Sequence, residues 1–279
     1  MVRGCGLTDP FRITGPAVVS FSGGRTSGYM LHRILQAHGG MLPDDVVVLF
    51  QNTGREMPAT LDFVRDCAAA WGVHINWLEF TARTPTGYRV VNHNNASRAG
   101  EPFAALIEAK SYLPNPIARF CTEELKIRTA ERFLRGTLGW EHWTDVVGLR
   151  ADEPGRVLKA TANGRLCPLA EAGIEEHDVL QFWRRQPFNL RLAGRWEGNC
   201  DGCFLKNRGA ISRMFRDHHE RMQWWVDQER QLRHGAGQGA TFRADREDYA
   251  SIARTTRNQG VLPFDLEDSL PCTEAVCGV

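Results

Sequence analysis

The residues with the strongest chemical potential fall in five short groups spread over most of the chain. The first is Ser22-Gly23-Gly24-Arg25-Thr26-Ser27, which follows the apolar run 17–21 and precedes an amphipathic stretch, 29–37. Glycines let a backbone approach a ligand closely and take positive φ. A helix that starts there aims unbonded N–H groups and the positive end of its dipole at an anion. That is chemistry for holding phosphate or a sulfate-like group; the competing use of the same residues is a tight strand-to-helix turn. The loop is neither the longer pattern ending in Lys-Ser/Thr nor G-x-G-x-x-G. The last group is Cys200-Asp201-Gly202-Cys203. A Cys-x-x-Cys serves as a redox pair, as half a zinc site or as half an iron–sulfur site. Between them lie Asn52-Thr53-Gly54-Arg55-Glu56, then Arg119-Phe120-Cys121-Thr122-Glu123-Glu124-Leu125-Lys126, then Gly148-Leu149-Arg150-Ala151-Asp152-Glu153. Arg150 offers a planar fork suited to phosphate oxygens, with an ion pair to Asp152 or Glu153 as its alternative use.

These groups need elements to carry them. Apolar runs at 17–21, 46–50, 74–80 and 144–149 read as strands. The first three alternate with helical patterns: Met30, Leu31, Ile34 and Leu35 share one face, as do Leu61, Phe63, Val64 and Cys67 on 59–71. Strands that read as continuous apolar runs, separated by helices, predict a parallel sheet covered on both faces. Ligands of such sheets bind at the carboxyl ends of the strands, where residues 22–27 and 52–56 fall. Residues 81–116 read as a long polar connection with a short helix at 102–109. Helices are expected at 122–134 and 210–233. The character of the chain changes after Pro154, which divides it into a nucleotide-binding α/β domain, 1–154, and a smaller, mainly helical, Cys-containing C-terminal region, 155–279.

Bulk properties exclude more than they assign. The 279 residues carry a net charge of +1 and are 42% hydrophobic, with a mean hydropathy of −0.36. No stretch approaches the roughly 20 apolar residues of a membrane span, and residues 1–11 lack the pattern of a signal peptide. A cytoplasmic, reducing compartment is expected, in which the eight cysteines serve metal or redox chemistry before disulfides.

Taken in order, the five groups resemble the phosphoadenosine phosphosulfate (PAPS) reductase family within the PP-loop ATP-pyrophosphatase class, over roughly residues 17–205. The resemblance implies a five-stranded parallel doubly wound sheet of the adenine nucleotide alpha-hydrolase-like kind. It implies an adenine nucleotide, ATP or PAPS/adenylyl sulfate, held by Ser22, Gly23, Gly24, Arg25, Thr26 and Ser27. Asn52, Thr53 and Gly54 would lie beside the nucleoside, with Lys126 and Arg150 completing the site. Iron-containing members hold a [4Fe–4S] cluster through an early cysteine pair near a lysine and a later Cys-x-x-Cys. Cys121, Cys200 and Cys203 match three of those ligands. Thr122 stands where the second early cysteine belongs, so the fourth ligand is expected from the tail, Cys272 ahead of Cys277, with Cys167 as a further alternative. Thiolates suit zinc as well, so the choice of iron rests on the resemblance.

Two chemistries divide the family. One cleaves ATP between the α- and β-phosphates, adenylates an acceptor oxygen and lets a sulfur nucleophile displace AMP; Mg2+ would neutralise the pyrophosphate. Thr26 replaces an acidic residue common in that loop, which leaves Glu56 or Asp152 as the carboxylates at hand. The other chemistry reduces adenylyl sulfate or PAPS to sulfite by attack of a C-terminal thiolate, here Cys277; the acidic residue and histidine expected around it are absent. The intact Ser-Gly-Gly loop favours the first. A non-catalytic nucleotide-binding partner module is a third reading. Expected partners are a sulfur or electron donor protein and a second copy of the chain. A nucleic-acid acceptor is a further expectation, from Lys206, Arg208, Arg213 and Arg216. His218-His219-Glu220 is expected to be a solvated helix face, and Trp183, Trp196, Trp224 and Trp225 to pack the C-terminal region.

Overall fold

The computed structural model describes residues 9–233 and 240–258. Cys5, Cys272 and Cys277 lie outside the described residues, and with them the expected fourth ligand and the expected C-terminal nucleophile.

Strands β1 (Ala17–Ser20), β2 (Val46–Gln51), β3 (Ile75–Phe80), β4 (Tyr88–Val91) and β5 (Thr144–Val147) form one sheet in the order β4-β3-β2-β1-β5. Strand β1 runs parallel to both of its neighbours, with Ala17 opposite Val46 and Thr144, and Ser20 opposite Leu49 and Val147. Val18, Val19, Val48, Leu49 and Val146 are buried, which is why these strands read as unbroken apolar runs rather than alternating ones. Helices α1 (Arg25–Ala37) and α2 (Pro58–Trp71) connect β1 to β2 and β2 to β3. They are followed by α3 (Glu101–Lys110), α4 (Phe120–Thr122), a π-helical segment (Glu123–Arg128) and α5 (Thr129–Gly136). After β5 come α6 (Pro154–Ala162), α7 (Pro168–Glu171), α8 (Glu176–Arg184), α9 (Arg208–Asp217), α10 (His219–Arg233) and α11 (Tyr249–Asn258).

The five-stranded, mostly parallel α/β sheet is as expected; three details correct the sequence reading. The sheet is not wholly parallel: β4 lies inside the supposed polar connection and pairs antiparallel with β3, Trp77 opposite Val91 and Phe80 opposite Tyr88. Only Tyr88 and Val91 of its four residues are buried, so this short edge strand has no apolar run to betray it. The helix expected at 122–134 is three pieces, with a π-helical turn from Glu123 to Arg128. The helix expected at 210–233 is broken at His218 (φ −140°, ψ 48°), whose ring is held at 2.6 Å by the buried Glu197.

By contacts the chain divides into two compact units, each made of separate segments. One comprises Met1–Phe50, Asp62–Asn76 and Gly139–Leu190, the other Gln51–Leu61, Trp77–Leu138 and Arg191–Val279. Residues from Pro154 to Leu190 thus belong with β1, β5 and α1. The first unit packs an aromatic group, Tyr29, Phe63, Trp71, Phe182 and Trp183, between α1, α2 and α8. The second has a core of Phe103, Leu125, Phe204, Met214, Trp225 and Tyr249, into which Cys200 and Cys203 are packed.

Candidate functional site

In the first unit, residues 22–27 form the turn between β1 and α1. Gly23 has φ +78°, a conformation side chains resist, and Gly24 is the N-cap in extended conformation with no side-chain cap. The helix therefore starts with its first N–H groups unclaimed by any capping side chain and with no acidic residue in its first turn. Ser27 Oγ donates to the Gly24 carbonyl at 3.1 Å and accepts from Ser22 Oγ at 3.0 Å, so the two hydroxyls brace the turn from inside. Gly148, after β5, presses on the same turn: a Cβ there would lie 3.1 Å from Ser27 Cα.

Two basic residues flank the loop differently. Arg150 Nη1 reaches Thr26 Oγ1 at 3.3 Å, while its Nε donates to Asp152 at 2.8 Å. Burial works against this cation, but the Asp152 hydrogen bond and the Glu153 and Asp152 charges hold its pKa above the ordinary arginine value. The ion pair to Asp152 is thus present, and the same guanidinium lies against the loop at Thr26. Arg25 turns elsewhere: its Nε donates to Asn189 Oδ1 at 2.8 Å and its Nη2 to the Leu190 carbonyl at 2.5 Å. Trp183 Nε1 donates to the Arg25 carbonyl at 2.7 Å. Trp183 therefore supports the loop at 22–27 within the first unit, which corrects its expected place in the C-terminal region.

In the second unit one cavity is lined by Cys121, Cys200 and Cys203 together with Lys126, Arg119, Thr122 and Thr53. Phe103, Leu125, Phe204, Leu205 and Trp225 complete its walls. The three cysteines matched as cluster ligands, 82 positions apart from first to last, thus meet at one place, with the lysine of the same motif beside them. The π-helical turn puts Lys126 there; such turns are often found at functional sites. Cys167 is not in the lining, and packs instead with Val147, Leu149 and Ala160 of the first unit. Cys67 is buried on α2, where burial pushes its thiol pKa far up, as suits a structural cysteine.

Among the described residues no three His, Cys, Asp or Glu side chains gather tightly enough around one point for a single metal ion. What the lining offers is the chemistry of its donors: three thiols between apolar walls are soft ligands of the kind that iron–sulfur centres and zinc take.

The turn after β2 is built around the same cavity. Asn52 is fully buried and fully used: its Nδ2 donates to Glu79 at 2.6 Å and to the Ser97 carbonyl at 2.8 Å, and its Oδ1 accepts from Gly54 N. Its side chain shapes the turn. Thr53 Oγ1 lies 3.5 Å from Cys200 Sγ and bonds Glu56, whose carboxylate also takes the Thr53 N–H at 2.9 Å. Burial raises the Glu56 pKa, opposed by the Lys126 charge and the Thr53 bonds. Glu56 pairs in a short antiparallel bridge with Cys200.

Sequence reasoning missed the support beneath Cys-x-x-Cys. Asp201 is fully buried and receives Arg55 at 2.6 Å, Arg221 at 2.8 Å and Trp225 Nε1 at 2.7 Å. Arg55 and Asp201 both stand inside the motifs at 52–56 and 200–203, and that position was the one available signal. Lys206 is fully buried and donates to the Trp196 and Asp201 carbonyls at 2.6 and 2.9 Å, which removes it from the expected basic face. Arg208 pairs with Glu247, and Arg213 and Arg216 pair with Asp217. Trp224 stacks on Arg55 at 4.9 Å, and Trp225 is core.

No helix among the described residues is long and apolar enough to cross a membrane. No protein-family model matches the chain. The uncharacterized nin region protein ORF290 of Escherichia phage lambda is 31% identical over 207 residues, covering 72% of this chain and 69% of that protein. Among solved structures, a phosphoadenylyl-sulfate (PAPS) reductase from Candida auris, in complex with phosphate, is 19% identical, with a TM-score of 0.40 over 66% of this chain and 82% of its own. The U34-tRNA thiolase NcsA from Methanococcus maripaludis, solved with its [4Fe–4S] cluster, is 15% identical, with a TM-score of 0.38 over 94% of this chain and 80% of its own.

Proposed function

The chain belongs to the family of the nin region protein ORF290 of Escherichia phage lambda, and we propose that it is an adenine-nucleotide-dependent enzyme of sulfur chemistry that carries an iron–sulfur centre. The observation that carries this reading is the convergence of Cys121, Cys200 and Cys203 on one cavity beside Lys126. The ordered motifs that resemble the PAPS reductase family support it, as does the uncapped loop at 22–27.

In the reaction we favour, ATP binds with its phosphates on the N–H groups of the loop at 22–27. An acceptor oxygen attacks the α-phosphorus, the bond to the β-phosphate oxygen breaks, and pyrophosphate leaves. A sulfur nucleophile then displaces AMP, which carries the acceptor's oxygen away. Backbone N–H groups stabilise the charge that builds on the leaving pyrophosphate, and Arg150, fixed by Asp152, adds a cation beside Thr26. Mg2+ would share that charge. Cys121, Cys200 and Cys203 would hold a [4Fe–4S] cluster, with a fourth ligand from outside the described residues, Cys272 being the first candidate. Such a cluster supplies a soft, redox-active centre for handling sulfur. The apolar walls Phe103, Leu125 and Phe204 exclude water from it, and Lys126 balances the negative charge of the thiolates.

The test is release of labelled AMP and of pyrophosphate from α-labelled ATP, using anaerobically purified protein, a sulfide source and a panel of RNA and small-molecule acceptors. Acceptor-dependent release that falls on Arg150→Gln supports adenylation. Absence of pyrophosphate with every acceptor, alongside sulfite formation from PAPS when a dithiol reductant is supplied, overturns it in favour of sulfonucleotide reduction.

A further inference from the structure

The bonds of the turn at 52–56 lead to the cysteines. Thr53 touches Cys200. Glu56 bridges Cys200 through the backbone. Arg55 does most: its carbonyl accepts the Asp201 N–H at 2.8 Å. Its guanidinium grips both oxygens of the Asp201 carboxylate, Nε on Oδ1 at 3.2 Å and Nη2 on Oδ2 at 2.6 Å. The same Nη2 donates to the Arg221 carbonyl at 2.6 Å, and Arg221 Nη2 returns to the Glu56 carbonyl at 2.9 Å. Asp201 stands between the two thiols in sequence, and its carboxylate also receives the Gly202 N–H and Trp225 Nε1. Arg55 and Asp201 are 2% and 0% exposed, so the pair is desolvated, and a fork of fixed geometry on a carboxylate sets direction as well as attraction.

We propose that Arg55 is the positioning residue of the Cys200-x-x-Cys203 turn, acting through Asp201 to set the directions of the two thiols toward the cavity. This inference rests on the reading of the cavity as a thiolate-held iron–sulfur site. Arg55 touches neither thiol by its side chain, and its effect travels through the Asp201 carboxylate and the backbone on either side of it. Lysine keeps the charge at that position and loses the fork, so Arg55→Lys isolates geometry from charge. Arg221→Lys loosens the same carboxylate from its more exposed side, and leaves the Arg55 fork in place.

The experiment uses the full chain, purified anaerobically and reconstituted with ferrous iron and sulfide. It measures iron per chain, the electron paramagnetic resonance signature of the reduced centre, and the rate of bleaching by an iron chelator. Wild type holds iron that Cys200→Ser loses. Arg55→Lys shifts the resonance signature and bleaches at least tenfold faster, and Arg221→Lys does the same by a smaller factor, at a melting temperature within a few degrees of wild type. If wild type binds no iron through Cys200, the reading of the site fails. If wild type binds iron and both variants match it in signature and bleaching rate, the site stands and the positioning role is overturned. Should Arg55→Lys not fold, Asp201→Asn decides, because it keeps the shape of the carboxylate and breaks the two-oxygen grip of Arg55: a wild-type signature and rate there overturn the proposal.

Discussion

The two candidate sites of this protein are held in place by opposite means. The loop at 22–27 is made of backbone: a left-handed glycine, an uncapped helix start, two hydroxyls braced on each other, and Gly148 pressing from the next strand. Its outer support is aromatic packing, with Trp183 bonding the Arg25 carbonyl. The cavity of Cys121, Cys200 and Cys203 is instead held by buried charge. Asp201 with Arg55 and Arg221, Glu56 against Thr53, and Lys206 on two carbonyls all lie beneath it. Backbone supports tolerate change in side chains around them, whereas a buried ion network fails when one member is lost, because the others stay desolvated and unmatched.

The largest expected effect follows from that asymmetry. Asp201→Ala strands Arg55 and Arg221 and is expected to cost about 3–5 kcal/mol of stability, read by urea unfolding of the full chain. A cost below about 1 kcal/mol would show the network to be ornamental.

Next comes a pH effect in the second unit. Glu229 accepts the N–H groups of Phe242 and Tyr249, and burial raises its pKa from 4.5 to about 7, against those two bonds. A carboxyl whose pKa rises on folding is bound to its proton more tightly in the native state. Its contribution is therefore fully present below pH 4.5 and is lost as pH rises through 7. Between pH 5 and 8 wild type should lose up to about 3 kcal/mol that Glu229→Gln retains. Parallel pH–stability curves for the two proteins would contradict this.

Smaller effects belong to the first unit. Gly148→Val crowds Ser27 and should weaken nucleotide binding about tenfold, or about 1.4 kcal/mol, in calorimetry, with iron content unchanged. Arg150→Lys keeps a charge near Thr26 but loses the fork on Asp152; about a threefold loss of nucleotide affinity is expected, less than 1 kcal/mol. Loss of iron in either variant would erase the contrast between the regions.

How much of this could be read from the residues differs between the two sites for the same reason. The loop at 22–27 is local, so strand, glycines and helix face stand within about twenty consecutive residues, and its place after β1 was legible. The sheet was legible too, apart from β4, whose four residues carry too little apolar pattern. That Cys121, Cys200 and Cys203 belong together was legible only through their resemblance to a family pattern. Their supports were not, because a buried Arg55–Asp201 pair looks in sequence like two surface charges. Lys206 read as a solvated cation for the same reason, and Trp183 lies far along the chain from the loop it braces. Burial of charge is a property of the fold, and nothing in the local pattern reports it.

The most direct test of the account is iron and acid-labile sulfide analysis of anaerobically purified protein, with the visible spectrum, for wild type beside Cys121→Ser and Cys200→Ser. The account predicts a brown wild-type protein with about four irons per chain, lost in both variants. A colourless, iron-free wild type, or full iron retained in both variants, would contradict it.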